Sequence, residues 1–303
     1  MLTGRFITYL PSPSTNGISV GRLRLHLYGL LIAIGVAAAA WMAQRRWEAR
    51  GGEPGTMARL AVWAVPAGLI GARLYSVITS WQADTGGKWY RAFEIWQGGL
   101  GIWGGIAVGV PVGLVAARRY QLDWRAALDS AAPALALAQA VGRWGNYFNQ
   151  ELYGSPSRLP WAVKIAHPVH CSSVTACAAY PPGVTTFQPT FLYESLWDLA
   201  CVALIILAER HLPIRKGYLF YVYAAVYTVG RFVTEHLRVD EAHRYLGLRL
   251  NDWTSIVVFA AALAILATRG RAGASTPTVR SPVIVNPIRS AEHVGAATHD
   301  ADL

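Results

Sequence analysis

The stretch Leu25-His26-Leu27-Tyr28-Gly29-Leu30-Leu31-Ile32-Ala33-Ile34-Gly35-Val36-Ala37-Ala38-Ala39-Ala40-Trp41-Met42-Ala43-Gln44 runs without a full charge until Arg45 and Arg46 close it. At the α-helical rise, a run of that length spans about 30 Å, the thickness of a bilayer's hydrocarbon core. The apolar residues fill the run instead of recurring on one face, so a water-exposed amphipathic helix does not fit. A membrane-spanning helix does.

The rest of the chain repeats this pattern. Of 303 residues, 53% are hydrophobic and only 15% charged, against about a quarter charged in a typical soluble domain. Further spans are expected at 57–80, 98–117, 124–141, 191–208, 218–234 and 253–268. The fold class is therefore all-α, a polytopic membrane protein of about seven transmembrane helices. The fourth span carries Asp129, Pro133 and Gln139 and needs a bundle interior or a wet cavity for them. The third, Gly98 to Gly109, is glycine-rich, which allows close helix approach or backbone access to a ligand. The net charge of +10 suits nucleic acid and anionic lipid equally, but the basic residues flank apolar runs. The partner they imply is membrane lipid, and no nucleic acid is expected.

Seven spans place the termini on opposite sides. Arginine pairs directly after spans one (Arg45, Arg46) and three (Arg118, Arg119), with Arg210, Arg215 and Lys216 after span five, put those ends inside. The N-terminus is then outside and the C-terminus cytoplasmic. This divides the chain into an extracytoplasmic N-terminal segment (1–24), a transmembrane domain (25–268) that would hold any site, and a cytoplasmic tail (269–303) expected to be disordered. Residues 1–24 lack the apolar core of a cleavable signal. Cys171 and Cys177 share one polar loop, where a local disulfide and two free thiols both remain open. Eight histidines without ligand spacing, and no phosphate-binding loop, imply neither metal nor cofactor.

Three polar groups stand out against this apolar background. Gly142 to Glu151 packs Arg143, Asn146, Asn149, Gln150 and Glu151 onto the end of span four, and helical spacing would set Arg143, Asn146 and Gln150 near one face. An arginine fork suits phosphate, and amides orient it or hold lipid carbonyls. Next, Arg231, Glu235 and Arg238 recur at helical spacing at the outer end of span six, where Glu235 would fix one arginine and leave the other for an anion. The third group is dispersed: Tyr28, Arg73, Gln97 before the glycine-rich run, and Tyr193 with Glu194. Arg73 lies inside a span and must pair or line a cavity, and Glu194 is a candidate partner. Each group also has a plainer reading as interfacial anchoring or internal pairing.

With those residues assembled, the chain resembles bacterial prolipoprotein diacylglyceryl transferases over most of residues 1–268. The strongest match is Gly142-Arg143-Trp144-Gly145-Asn146-Tyr147-Phe148-Asn149-Gln150-Glu151-Leu152-Tyr153-Gly154. Tyr28-Gly29-Leu30, Gly71-Ala72-Arg73-Leu74-Tyr75, Gly98-Gly99-Leu100 with Trp103-Gly104-Gly105, Pro189 to Glu194, and Gly230-Arg231-Phe232 with Glu235 and Arg238 follow in order. The resemblance implies a multi-pass enzyme of the bacterial plasma (inner) membrane with its reactive region on the extracytoplasmic side. Its partners would be phosphatidylglycerol and a lipobox-containing prolipoprotein, and it would need no cofactor. Carried over residue by residue, Arg143, Arg231, Glu151 and Glu235 are the expected catalytic groups. Tyr28, Arg73, Gln97, Gly98, Gly99, Asn146, Asn149, Tyr193, Glu194 and Arg238 are the expected substrate-binding ones. Gln97 and Gln188 stand where the family often has histidine, and a neutral amide cannot act as a general base. The rival class is a transporter of an anionic lipid or metabolite, whose path the same arginines would line. The absence of an internal repeat counts against it.

Overall fold

A computed structural model describes residues 9–13, 15–20, 23–81, 85–94, 101–173, 176–240, 242–273 and 276–283. Among them are α1 (Leu27–Glu48), α2 (Thr56–Thr79), α3 (Ile102–Arg119), α4 (Trp124–Gly142), the short α5 (Trp144–Asn149), α6 (Thr190–His211), α7 (Leu219–Leu237) and α8 (Leu250–Arg269). A long helix therefore occupies each of the seven expected positions. Five of them, α1, α2, α3, α6 and α8, are long and apolar enough to cross a membrane. The protein is a polytopic membrane protein. Val62, Trp63, Ile70, Leu74 and Ile78 of α2 are exposed, a face that hydrocarbon solvates and water would not. The helices α4 and α7 are more polar because they carry Asp129 and Gln139, and Arg231 and Glu235.

The helices are joined by small antiparallel pairs that the sequence reading did not anticipate. Strand β1 (Gly17–Val20) pairs with β2 (Leu23–His26), β3 (Val163–Lys164) with β6 (Thr186–Phe187), β4 (Val169–Ser173) with β5 (Ala176–Ala179), and β7 (Arg244–Tyr245) with β8 (Leu248–Arg249). At two to five residues each, they are too short to show alternation. Leu25, taken as the start of span one, lies in β2, and the helix begins two residues later. The register sets Cys171 opposite Cys177, and Cys177 is disulfide-bonded, whereas Cys201 is free and buried.

The chain forms two compact units, Met1–Ala39 with Ala132–Thr276, and Ala40–Ala131 with Pro277–Leu303. In the second, α2 packs along α3 through glycines. A Cβ on Gly104 would run into the Gly71 carbonyl and the Tyr75 side chain, and one on Gly71 into the Gly104 carbonyl. Close helix approach is thus what these glycines provide. Residues 276–283 fell in the tail expected to be disordered, yet Val279 and Val283 are buried and the Val283 N–H donates to the Arg50 carbonyl at 2.9 Å.

In the first unit α6, α7 and α8 pack in succession. The Trp197 indole lies across Gly230 and donates to the Val226 carbonyl at 3.1 Å, which brings α6 against the middle of α7. Between α5 and α6, the Tyr153, Val163, Ile165, Phe187 and Phe191 cluster seats the loop on the start of α6. The segment Tyr153–Ser155 also hydrogen-bonds to Gln188 and to Leu237–Val239, which ties the ends of α5, α6 and α7 together.

Candidate active site

The polar residues of the first unit meet where α4 ends, α6 begins and α7 ends. The helix breaks between α4 and α5 at Arg143, whose side chain is 16% exposed. Its Nη1 lies 2.9 Å from Glu194 Oε2, its Nε 3.9 Å from Asp198 Oδ2, and its Nη2 donates to the Tyr227 hydroxyl at 3.4 Å. Arg231, on α7, donates to the other oxygen of Glu194 at 2.8 Å, and Thr234 adds a bond at 3.2 Å. One carboxylate therefore holds two arginines side by side. Together with Trp197, Asp198, Tyr227 and Gly230, they line a small cavity.

Beyond Arg231 the charges continue in a closed network. Glu235 is fully buried and faces Arg231 at 2.6 Å, Arg249 at 2.8 Å and Arg238 at 3.7 Å, with the Asn251 amide donating at 3.3 Å. Arg238 is held by Asp240 through two bonds of 2.7 Å, and Arg249 reaches the same carboxylate at 3.1 Å. Burial opposes ionisation of Asp240, but Arg238, then Arg249 and Arg231, outweigh it and hold its carboxyl below the usual range. This corrects the expectation that Glu235 would leave one arginine open. Both Arg231 and Arg238 are engaged, because Arg249 and Asp240 arrive from outside the helix on which the spacing was read.

Asn146, Asn149 and Glu151 form a separate polar group. Both amides donate to Glu151 Oε1, at 3.0 and 3.2 Å, and Glu151 is exposed. The expected common face of Arg143, Asn146 and Gln150 does not form, since Gln150 ends α5 in left-handed backbone at φ 53°. Its side chain instead bonds the Pro13 carbonyl and the Ala166 N–H. Tyr28 joins this region: its ring fills the space a Cβ on Gly145 would need, and it lies within electrostatic reach of Glu151 and Arg143. Tyr193 accepts a hydrogen bond from Trp161 at 2.9 Å. Gln188 donates to Ser155 at 3.2 Å, a structural contact.

Arg73 belongs to the second unit. Glu194, its expected partner, is taken by Arg143 and Arg231, while Arg73 donates to the carbonyls of Ala92 and Arg91 at 2.9 and 2.7 Å. Gln97, Gly98 and Gly99 lie outside the described residues. The sequence reading missed Asp198, Tyr227, Thr234 and Asn251. Only Asp198 had a signal, as an acidic residue one turn after Glu194 inside an apolar helix. Among the described residues no cluster of His, Cys, Asp or Glu is arranged to hold a metal.

These features define a class: a multi-pass membrane protein with paired, carboxylate-braced arginines at the ends of its helices. The family model for prolipoprotein diacylglyceryl transferase matches residues 16–268. The chain is 49% identical over 265 residues to phosphatidylglycerol–prolipoprotein diacylglyceryl transferase 2 of Streptomyces coelicolor, covering 86% of this chain and 80% of that one. It is 50% identical over 256 residues to the corresponding transferase of Streptomyces griseus, covering 84% and 75%. With that of Mycobacteroides abscessus it shares 43% identity over 281 residues, covering 89% and 82%. The chain belongs to the prolipoprotein diacylglyceryl transferase family.

Proposed function

We propose that Arg143 and Arg231, braced by Glu194, form the headgroup site for diacylglyceryl transfer from phosphatidylglycerol to the lipobox cysteine thiol of prolipoproteins. The observation that carries this reading is the meeting of both arginines on one buried carboxylate. The cysteine sulfur attacks the glycerol carbon bonded to the phosphate oxygen. A C–S bond forms, the C–O bond breaks, and its electron pair leaves on the oxygen as glycerol phosphate. Charge grows on that oxygen, and guanidinium groups fixed beforehand stabilise it in a site from which water is largely excluded. The thiol begins near pKa 8.5, so modest help suffices to form thiolate.

Within this reading Arg143 is the principal phosphate contact, because its side chain is the more exposed of the two arginines. Glu194 and Glu235 act as braces. Glu235 is fully buried among three arginines, whereas Glu151 is exposed, so of the two expected carboxylates Glu151 is the one a substrate thiol can reach. Asn146 and Asn149 orient Glu151, and Tyr28 closes this side of the site.

The proposed topology has seven spans, the N-terminus outside and the C-terminus in the cytoplasm. Basic residues in the last turns of α1, α3 and α6 support it, as does the grouping of site residues at the opposite ends of α6, α7 and α8. The site then faces the extracytoplasmic side of the inner membrane. The test is incubation of the detergent-solubilised protein with phosphatidylglycerol and a lipobox peptide, without any gradient, followed by mass measurement. The expected product is the peptide plus one thioether-linked diacylglyceryl group. No product, or transfer at the parental rate by both Arg143→Ala and Arg231→Ala, would defeat the proposal.

A further inference from the structure

We infer that Asp198 is the charge-balancing residue of this site, neutral when phosphatidylglycerol binds, so that the arginines meet the phosphodiester with one net positive charge. The inference rests on the headgroup reading above and adds a residue to it. Four buried or partly buried carboxylates face the arginines, and three of them hold a guanidinium nitrogen within 3 Å. Glu194 takes bonds from Arg231 at 2.8 Å and Thr234 at 3.2 Å besides its contact with Arg143 at 2.9 Å. Glu235 accepts from Asn251 at 3.3 Å and faces Arg231 at 2.6 Å. Asp240 receives Arg238 through two bonds of 2.7 Å.

Asp198 differs from all three. It is 2% exposed, its ion-pair contact is Arg143 Nε at 3.9 Å, and among the described residues its Oδ2 accepts no hydrogen bond; Glu235 Oε2 accepts none either, but it has Arg231 at 2.6 Å. A buried carboxylate whose guanidinium contact lies beyond hydrogen-bond distance is costly to keep ionised. The groups facing it are Glu194 and Cys201 from its own helix, Arg143 from the α4–α5 junction, and Tyr223, Tyr227 and Arg231 from α7. The Tyr223 hydroxyl donates to Gln139, and Tyr227 accepts from Arg143, so neither is shown donating to Asp198.

The charge count points the same way. Arg143, Arg231, Arg238 and Arg249 face Glu194, Glu235, Asp240 and Asp198, and with every group ionised the network sums to zero. A neutral network has no net charge with which to attract a phosphodiester into a low-dielectric site. With Asp198 protonated the sum is +1, and the bound phosphodiester brings it to zero. Ionisation of Asp198 would then compete with lipid binding.

Equilibrium binding of phosphatidylglycerol to the detergent-solubilised protein, measured from about pH 6 to about pH 9, tests this. One linked proton makes wild-type affinity fall by up to about tenfold per pH unit once Asp198 ionises. Asp198→Asn, a permanently neutral isostere, should flatten the profile and bind about tenfold or more tightly than wild type at the alkaline end. An alkaline fall unchanged in Asp198→Asn, with binding still dependent on Arg143, overturns this inference alone. If the variant does not fold, the wild-type profile decides, and affinity independent of pH across the range overturns the inference. Wild-type binding that Arg143→Ala leaves unaltered overturns the headgroup reading, and this inference with it.

Discussion

The α2–α3 pair and the α6–α7 pair join long helices by opposite means. Between α2 and α3 backbone meets backbone: Gly71 and Gly104 leave no room for a methyl group, and van der Waals contact holds the pair. Between α6 and α7 there is also close packing, at Trp197 over Gly230, but the helix ends are joined by Glu194 gripping Arg143 and Arg231. Apolar contact needs only shape. A buried ion pair needs every member present, since removing one leaves an uncompensated charge. The α6–α7 end is therefore the more fragile of the two, and it is also the end with chemistry available to it.

That contrast can be broken or sharpened by substitution. Glu235→Ala should have the largest effect, about 3–5 kcal/mol of lost stability, because it strands three arginines around a buried gap. Thermal unfolding in detergent reads it, and a melting temperature equal to wild type would mean the network contributes nothing. Arg143→Ala comes next, with transfer slowed about 10²- to 10³-fold, or roughly 3 kcal/mol in the barrier. Glu194 keeps Arg231 and Thr234, so the loss of stability should stay below that of Glu235→Ala, and rate and melting temperature measured together separate site from scaffold.

Gly104→Ala tests the other helix pair. A methyl there meets the Gly71 carbonyl, and overpacking of this kind costs about 1–3 kcal/mol. An unchanged unfolding midpoint would show that α2 and α3 approach less closely than described. Smallest is Gln188→Ala, which removes one bond to Ser155, about 1 kcal/mol of stability. Transfer should stay within a few fold of wild type. A loss comparable to that of Arg143→Ala would give Gln188 a chemical role that its contacts do not suggest.

Helix positions were legible in the sequence because hydrocarbon length and apolar content are local properties. The run that begins at Leu25 needs no partner to be recognised as membrane-length. Arg143, Arg231 and Glu194 were also visible, since charge inside or beside an apolar run is conspicuous wherever it folds. Their partners were not. Arg73 and Glu194 looked like a matched pair by sign alone, yet Arg73 donates to the carbonyls of Arg91 and Ala92. Spacing along α7 showed Arg231, Glu235 and Arg238 but could not show Arg249 and Asp240 closing around them.

The sequence by itself determined the solvent of this protein, the places of its long helices and the residue types able to meet a phosphate, because hydropathy and charge act residue by residue. Only the tertiary structure decided which arginine is spoken for and which keeps an accessible edge, and which carboxylate holds a guanidinium within 3 Å and which does not. Those outcomes depend on groups separated by tens of residues arriving within about 3 Å of one another, the range at which hydrogen bonds and ion pairs form. Glu235 and Asp198 are both acidic residues within helices of the same family of runs. What surrounds them differs: Glu235 has guanidinium groups at 2.6 and 2.8 Å, and the ion-pair contact of Asp198 is Arg143 at 3.9 Å.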